Sequence, residues 1–134
     1  MITENIKHFI EKTKYAVVAS ADIHGRPHLA AGSDLSVPDP HHLVLEAWFC
    51  VTTLQNVTTN PRVAVIITDP VSCNGYQLLG RVEKNEGIAM IDGYAPEAET
   101  PGTPQLESRL AVRVDTLMTF SAGVHSDLPM EQLP

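Results

Sequence analysis

Apolar positions recur along this chain first at a helical period and then at a period of two. Ile2, Ile6, Phe9 and Ile10 follow helical spacing, with Thr3 suited to the start of a helix and Lys12 and Lys14 to its end. This predicts a helix over Thr3–Thr13. Tyr15–Ala21 is a run of small and branched residues and reads as a strand. Asp22-Ile23-His24-Gly25 is a turn, with glycine for positive φ. A second strand is predicted over Arg26–Val37, where Gly32 marks a bend or a close approach of another group. Pro38-Asp39-Pro40 turns the chain into a third, densely apolar strand, His42–Cys50. Arg62–Thr68 reads as a fourth strand. Tyr76–Lys84 reads as a fifth, with Tyr76, Leu78, Gly80, Val82 and Lys84 on one face and Gln77, Leu79, Arg81 and Glu83 on the other. Arg109–Phe120 alternates at first and is a sixth. Ile88–Ser108 is too rich in proline for a continuous helix and receives no element. The tail from Ser121 is expected to be poorly ordered.

Six strands in hairpin order, joined by turns too short for parallel crossovers, predict a mainly β fold with short helices: a six-stranded antiparallel split β-barrel. One domain over residues 1–134 is expected, with its ordered core at about 3–121.

Between the third and fourth strands lies Thr52-Thr53-Leu54-Gln55-Asn56-Val57-Thr58-Thr59-Asn60-Pro61. Thr52 and Gln55 stand at capping-box spacing. Proline then ends the helix. Free N–H groups at a helix start hold a partial positive charge, so the segment can cap a helix, seat a phosphate, or do both.

The charge balance narrows the partners. With 16 acidic and 9 basic residues the formal net charge is −7. That disfavours nucleic acid and anionic membrane surfaces, which are met with Lys and Arg. No apolar run approaches the ~18 residues of a membrane span, and Glu4 and Glu11 interrupt the N-terminal pattern, so neither a span nor a signal peptide is expected. Cys50 and Cys73 make no disulfide framework, which suits a cytoplasmic protein. The histidines lack metal-ligand spacing, and no metal is expected.

Gly25-Arg26-Pro27 between two strands, then Gln55-Asn56-Val57 followed by Asn60-Pro61-Arg62-Val63-Ala64, resembles the pyridoxamine 5′-phosphate oxidase-like, FMN-binding split-barrel proteins. The resemblance covers Thr3 to Lys84 well and the last strand loosely. It implies a homodimer with FMN in a cleft between two barrels. It also implies roles along the chain. His28, Ala30, Gly32 and Ser33 would run beside the flavin ring and ribityl chain. Val51, Thr52, Thr53 and Gln55 would hold the phosphate, with Asn56 bonding nearby. Gln77 would face the flavin or the partner.

The chain departs from the family in one respect. Neither Ala30–Leu35 nor Thr52–Val57 contains the Lys or Arg that commonly pairs with the phosphate. The helix dipole contributes ~0.3–2 kcal/mol, whereas a charge-assisted hydrogen bond contributes roughly 1.5–3 kcal/mol. Arg26, Arg62, Arg81, Arg109 or Arg113 would have to supply the missing charge. No side chain here is an evident acid or base, which suits a small FMN-dependent oxidoreductase whose cofactor carries the chemistry. The alternative is a non-enzymatic split-barrel dimer that has lost flavin or holds another planar ligand, haem or a deazaflavin, with His28 or His125 as candidate haem ligands. Trp48 is expected in the core, at the dimer interface or beside the flavin. Cys50 is expected to be a small buried hydrophobe or a thiol activated by the helix start.

Overall fold

The computed structural model describes residues 1–49, 51–91 and 105–132. Cys50 and most of the proline-rich segment lie outside these, as does the side chain of Trp48.

Helix α1 (Glu4–Lys12) buries Ile6 and Ile10, and the Thr3 hydroxyl caps it by accepting from the Ile6 N–H at 3.3 Å. Strands β1 (Tyr15–Ala21) and β2 (Pro27–Asp39) form a hairpin around Gly25, whose φ of +80° is open to glycine at little cost. The Asp22 carboxylate holds that turn. It accepts the N–H groups of Arg26 and His24 and pairs with the Arg26 guanidinium at 2.7 Å. These bonds, those from Arg26 foremost, hold Asp22 down at about 2.

Strand β3 (His42–Phe49) leads into helix α2 (Val51–Thr59), followed by β4 (Arg62–Thr68), β5 (Gly75–Ile91) and β6 (Gln105–Phe120). The six strands close into an antiparallel barrel in the order β1-β2-β3-β6-β5-β4. This is the predicted fold class. Its core includes Ala16, Val18, Leu43, Leu45, Val65, Ile67, Leu78 and Leu110. A 3₁₀ turn at Met130–Gln132 follows, and Met130 packs against that core.

Some boundaries move. β5 begins at Gly75 and runs on to Ile91, and β6 begins at Gln105, because each supplies the other's backbone partners far beyond the alternating stretch. Beyond Arg81, β5 pairs only with β6 among the described residues. Lys84 leaves the face it was expected to share with Leu78 and Val82, because the register shifts between Val82 and Lys84. The bend in β2 is at Asp34, with φ of +51°, and the β2–β3 register shifts after Ser33. Gly32 answers instead to a close approach: a Cβ there would run into Leu45 Cδ1. Glu11 of α1 repairs part of the irregular stretch by accepting the Val37 N–H at 2.9 Å.

Candidate functional site

Helix α2 packs against β1, β2 and β3. It starts at Val51, two residues earlier than a cap at Thr52 implies. Thr52 therefore sits in the first turn, and the cap position falls on Cys50, outside the described residues. The Thr52–Gln55 capping box is not formed in that register. The backbone N–H groups of the first turn still lack intrahelical partners, so the anion-seating property of a helix start remains. At the other end the helix stops as expected: the Asn60 side chain accepts the Arg62 N–H at 3.3 Å.

The helix divides the predicted phosphate residues by face. Thr53, 1% exposed, and Asn56, 5% exposed, point into the barrel. The Asn56 amide donates to the Ser20 hydroxyl at 3.1 Å, tying α2 to β1. Thr52 is half-buried and Gln55 is exposed, so these two side chains remain open to a ligand. For Val51 only the backbone position in the first turn is described.

The predicted residues of β2 also divide. His28, Ala30 and Gly32 alternate on the face that turns toward the barrel interior, His28 opposite the buried Ser20. Ser33 takes the other parity, and its hydroxyl donates to the Glu46 carbonyl at 3.2 Å. Between Pro27 and Gly32, β2 pairs with β1, and its described pairing with β3 begins only at Ser33. Along that stretch β2 has no β3 partner among the described residues, and α2 packs beside it.

Gln77 lies on the outer surface. Strand register aligns Ala31, Val17, Ile66 and Gln77 in one cross-strand row and Leu29, Ala19, Ala64 and Leu79 in the next. Leu29 is 66% exposed, Leu79 36% and the neighbouring Tyr15 46%. These two rows are apolar apart from Gln77, and the next row along β4 and β5 carries Arg62 and Arg81. The opposite side of the barrel is charged: Arg109 binds Glu46 at 2.6 Å and reaches Glu86 at 3.7 Å. His42 lies between Asp39 at 2.9 Å and Glu83 at 3.2 Å.

Among the arginines expected to supply the missing charge, three are engaged. Arg26 pairs with Asp22, Arg109 with Glu46 and Glu86, and Arg81 with Asp115 at 3.7 Å. Among the described residues Arg62 and Arg113 have no ion-pair partner. No group of three or more His, Cys, Asp or Glu side chains able to hold a metal ion occurs among the described residues. No helix there is long and apolar enough to cross a membrane. His28 begins β2, at the Ala21–Pro27 end of the barrel, whereas His125 follows β6 near Phe120. The two cannot share one ligand within a single chain.

Three clefts mark the surface. Two adjoin Phe9 and Asp69, of about 550 and 460 Å³. A third, of about 480 Å³, lies among Ala19, Pro27, Asn60, Arg62, Leu79 and Thr116. None of them is lined by the β2, α2 and β5 positions expected to hold flavin. Those positions lie around the open β2 edge and the apolar outer face, a surface one copy leaves uncovered.

Comparison with known proteins bears on this arrangement. HupZ of Group A Streptococcus is similar in fold at 18% identity, covering 94% of this chain and 99% of that one, with a TM-score of 0.65. An F420 reductase matches at 18% identity, covering 87% and 98%, with a TM-score of 0.59. HutZ, the haem storage protein of Vibrio cholerae, matches at 11% identity, covering 89% and 94%, with a TM-score of 0.57. No curated protein matches significantly. The family model for pyridoxamine 5′-phosphate oxidase matches residues 2–114. Split-barrel geometry and this match over most of the chain lead to one conclusion: the chain belongs to the pyridoxamine 5′-phosphate oxidase family.

Proposed function

We propose that this protein binds FMN between two copies of its barrel and acts as a small flavin-dependent oxidoreductase. The observation that carries the reading is the apolar outer face of β2, β1, β4 and β5, with Gln77 set into it beside an open strand edge. An exposed apolar surface of this kind favours a partner, and two-fold pairing buries the same patch on both copies. Leu29, Ala31, Ala64 and Leu79 would exclude water from the ring. Gln77 would offer the ring a hydrogen-bond donor and acceptor. Backbone groups of Ala30 and Gly32, on the open stretch of β2, would meet polar ring atoms, with Ser33 beside them. Thr52, Gln55 and the first-turn amides of α2 would hold the phosphate; Thr53 and Asn56 would hold the helix that presents them. Bound flavin would supply the electron or hydride transfer, and no side chain here is assigned a proton-transfer role.

The protein as isolated, or after incubation with FMN, is expected to be yellow and to release flavin absorbance on denaturation. Failure to bind micromolar FMN overturns the reading. Thr52→Ala with Gln55→Ala is expected to weaken FMN several-fold with little change in unfolding free energy.

One observation favours a second reading. The start of α2 has no cation beside it in sequence, so a planar ligand without a phosphate there suits the site equally. Fold relatives that include an F420 reductase and a haem storage protein support a deazaflavin or haem in that role. A Soret band on adding haemin, with no response to FMN, selects it.

A further inference from the structure

The register of the barrel sets three arginines side by side. Arg62 on β4 stands opposite Arg81 on β5, and Arg81 opposite Arg113 on β6. His42 on β3 continues the row opposite Arg113. All three arginines share the outward parity of their strands. Directly opposed side chains in antiparallel strands typically have Cβ atoms about 4.5–5.5 Å apart, and like charges so placed destabilise the sheet. The chain contains five arginines and is acidic overall, yet three of them stand in one cross-strand row.

Local carboxylates do not neutralise the row. Asp115 meets Arg81 at 3.7 Å. Asp39 and Glu83 are taken up by His42. Among the described residues, Arg62 and Arg113 have no ion-pair partner.

The row meets a cleft of about 480 Å³ at Arg62, the one arginine of the three that lines it. Arg62, Asn60, Asp115 and Thr116 give it a polar rim, and Ala64 and Leu79 an apolar wall. The Asn60 oxygen accepts the Arg62 N–H, which leaves its amide NH₂ as a further donor. Guanidinium groups match the oxygens of a phosphate in paired hydrogen bonds.

We propose that Arg62, Arg81 and Arg113 form a phosphate-binding row on the rim of this cleft, which takes a phosphate ester whose apolar body rests on Ala64 and Leu79. Opposed guanidinium groups cost stability while empty and are relieved when a dianion lies between them. Asp115 offsets one of the three positive charges, and the two that remain match a dianionic phosphate better than a singly charged carboxylate. The row sits past the C-terminal end of α2, roughly 13 Å along the helix from its first turn. It shares Ala64 and Leu79 with the surface assigned to the flavin ring but none of the groups assigned to the flavin phosphate, and its test uses no flavin.

Thermal unfolding of the full chain is compared in phosphate, acetate and chloride at matched ionic strength and pH. Phosphate is expected to raise Tm by about 2–4 °C over chloride, and acetate to do less. Arg62→Gln and Arg113→Gln are each expected to abolish the phosphate shift and to leave Tm in chloride unchanged or higher. Arg26→Gln, outside the row, keeps the shift. Calorimetric titration with inorganic phosphate reads the same loss without relying on Tm. The proposal is overturned if phosphate gives no shift over chloride, or if acetate matches phosphate. It is equally overturned if the Arg62 and Arg113 variants keep the shift, or if they lower Tm in chloride, which would mark the arginines as structural.

Discussion

His42 shows how much a single side chain can join. Its Nδ1 faces Asp39 and its Nε2 faces Glu83, so both ring nitrogens meet a carboxylate acceptor and the imidazolium form satisfies both. The Asp39 hydrogen bond, opposed in part by burial and aided by Glu83, raises the His42 pKa above its ordinary 6.5. A raised folded-state pKa stabilises the protein fully below the unfolded value, and that contribution disappears as pH rises through the folded value. Urea unfolding is thus expected to show stability declining as pH passes from about 6.5 upward, a slope that His42→Gln removes. The Asp39 carboxylate, held low mainly by its bond from His42, adds stability above 3.8 that is lost as pH falls through its lowered value. The Asn56–Ser20 bond is the other residue-scale contact with wide consequences. Asn56→Ala leaves the buried Ser20 hydroxyl without its donor and is expected to cost about 1–3 kcal/mol, read by chemical denaturation. Neither contact was visible in the sequence. Thr3 was, because a cap acts on its own helix. Asn56 and Ser20 stand 36 positions apart, and His42 and Glu83 stand 41 apart. Asn56 was instead read by family position as a neighbour of the phosphate, and local pattern gave no sign that it turns inward.

At the scale of elements, local pattern placed all six strands and both helices: helical spacing for α1, capping and proline signals for α2, and residue type or alternation for the strands. It failed at ends set by partners rather than by pattern. β5 and β6 extend one another past their alternating stretches. α2 starts before its apparent cap because Val51 is already in helical conformation. Of the two reasons weighed for Gly32, a bend or a close approach, the structure shows the second: Leu45 takes the room of its Cβ. Gly32→Val is accordingly expected to destabilise by about 1–3 kcal/mol through overpacking, measured by thermal or urea unfolding. Asp34→Gly, at a positive φ, is expected to be neutral to slightly stabilising in the same assay.

For the whole molecule, the barrel has two unlike sides. One carries the Glu46–Arg109–Glu86 network and the His42 clamp; the other carries Leu29, Ala31, Val17, Ile66 and Leu79. If a second copy covers the apolar side, Leu29→Lys with Leu79→Lys is expected to give a folded monomer by sedimentation and to abolish FMN binding. A dimer that survives both changes would place the interface elsewhere. Hairpin order was enough to foresee a closed barrel. The pairing of its outer rows was not foreseeable, because register depends on where bulges fall, among them those at Asp34 and between Val82 and Lys84.

That second shift has a bearing on solubility. Past Arg81, β5 leaves β4 behind, and beyond the Val82 N–H, which donates to the Pro61 carbonyl, one flank of its backbone has no strand partner among the described residues, a template on which a foreign strand could grow. The residues there are Glu83, Lys84, Asn85 and Glu86, with Lys84 held to Glu86 at 2.6 Å. An incoming strand would have to strip water from alternating charges on both faces of the ribbon. These four positions act as gatekeepers against fibril-like accretion, and replacing Glu83, Lys84 and Glu86 together by threonine is expected to turn a stable solution into one that scatters light on warming well below the unfolding temperature.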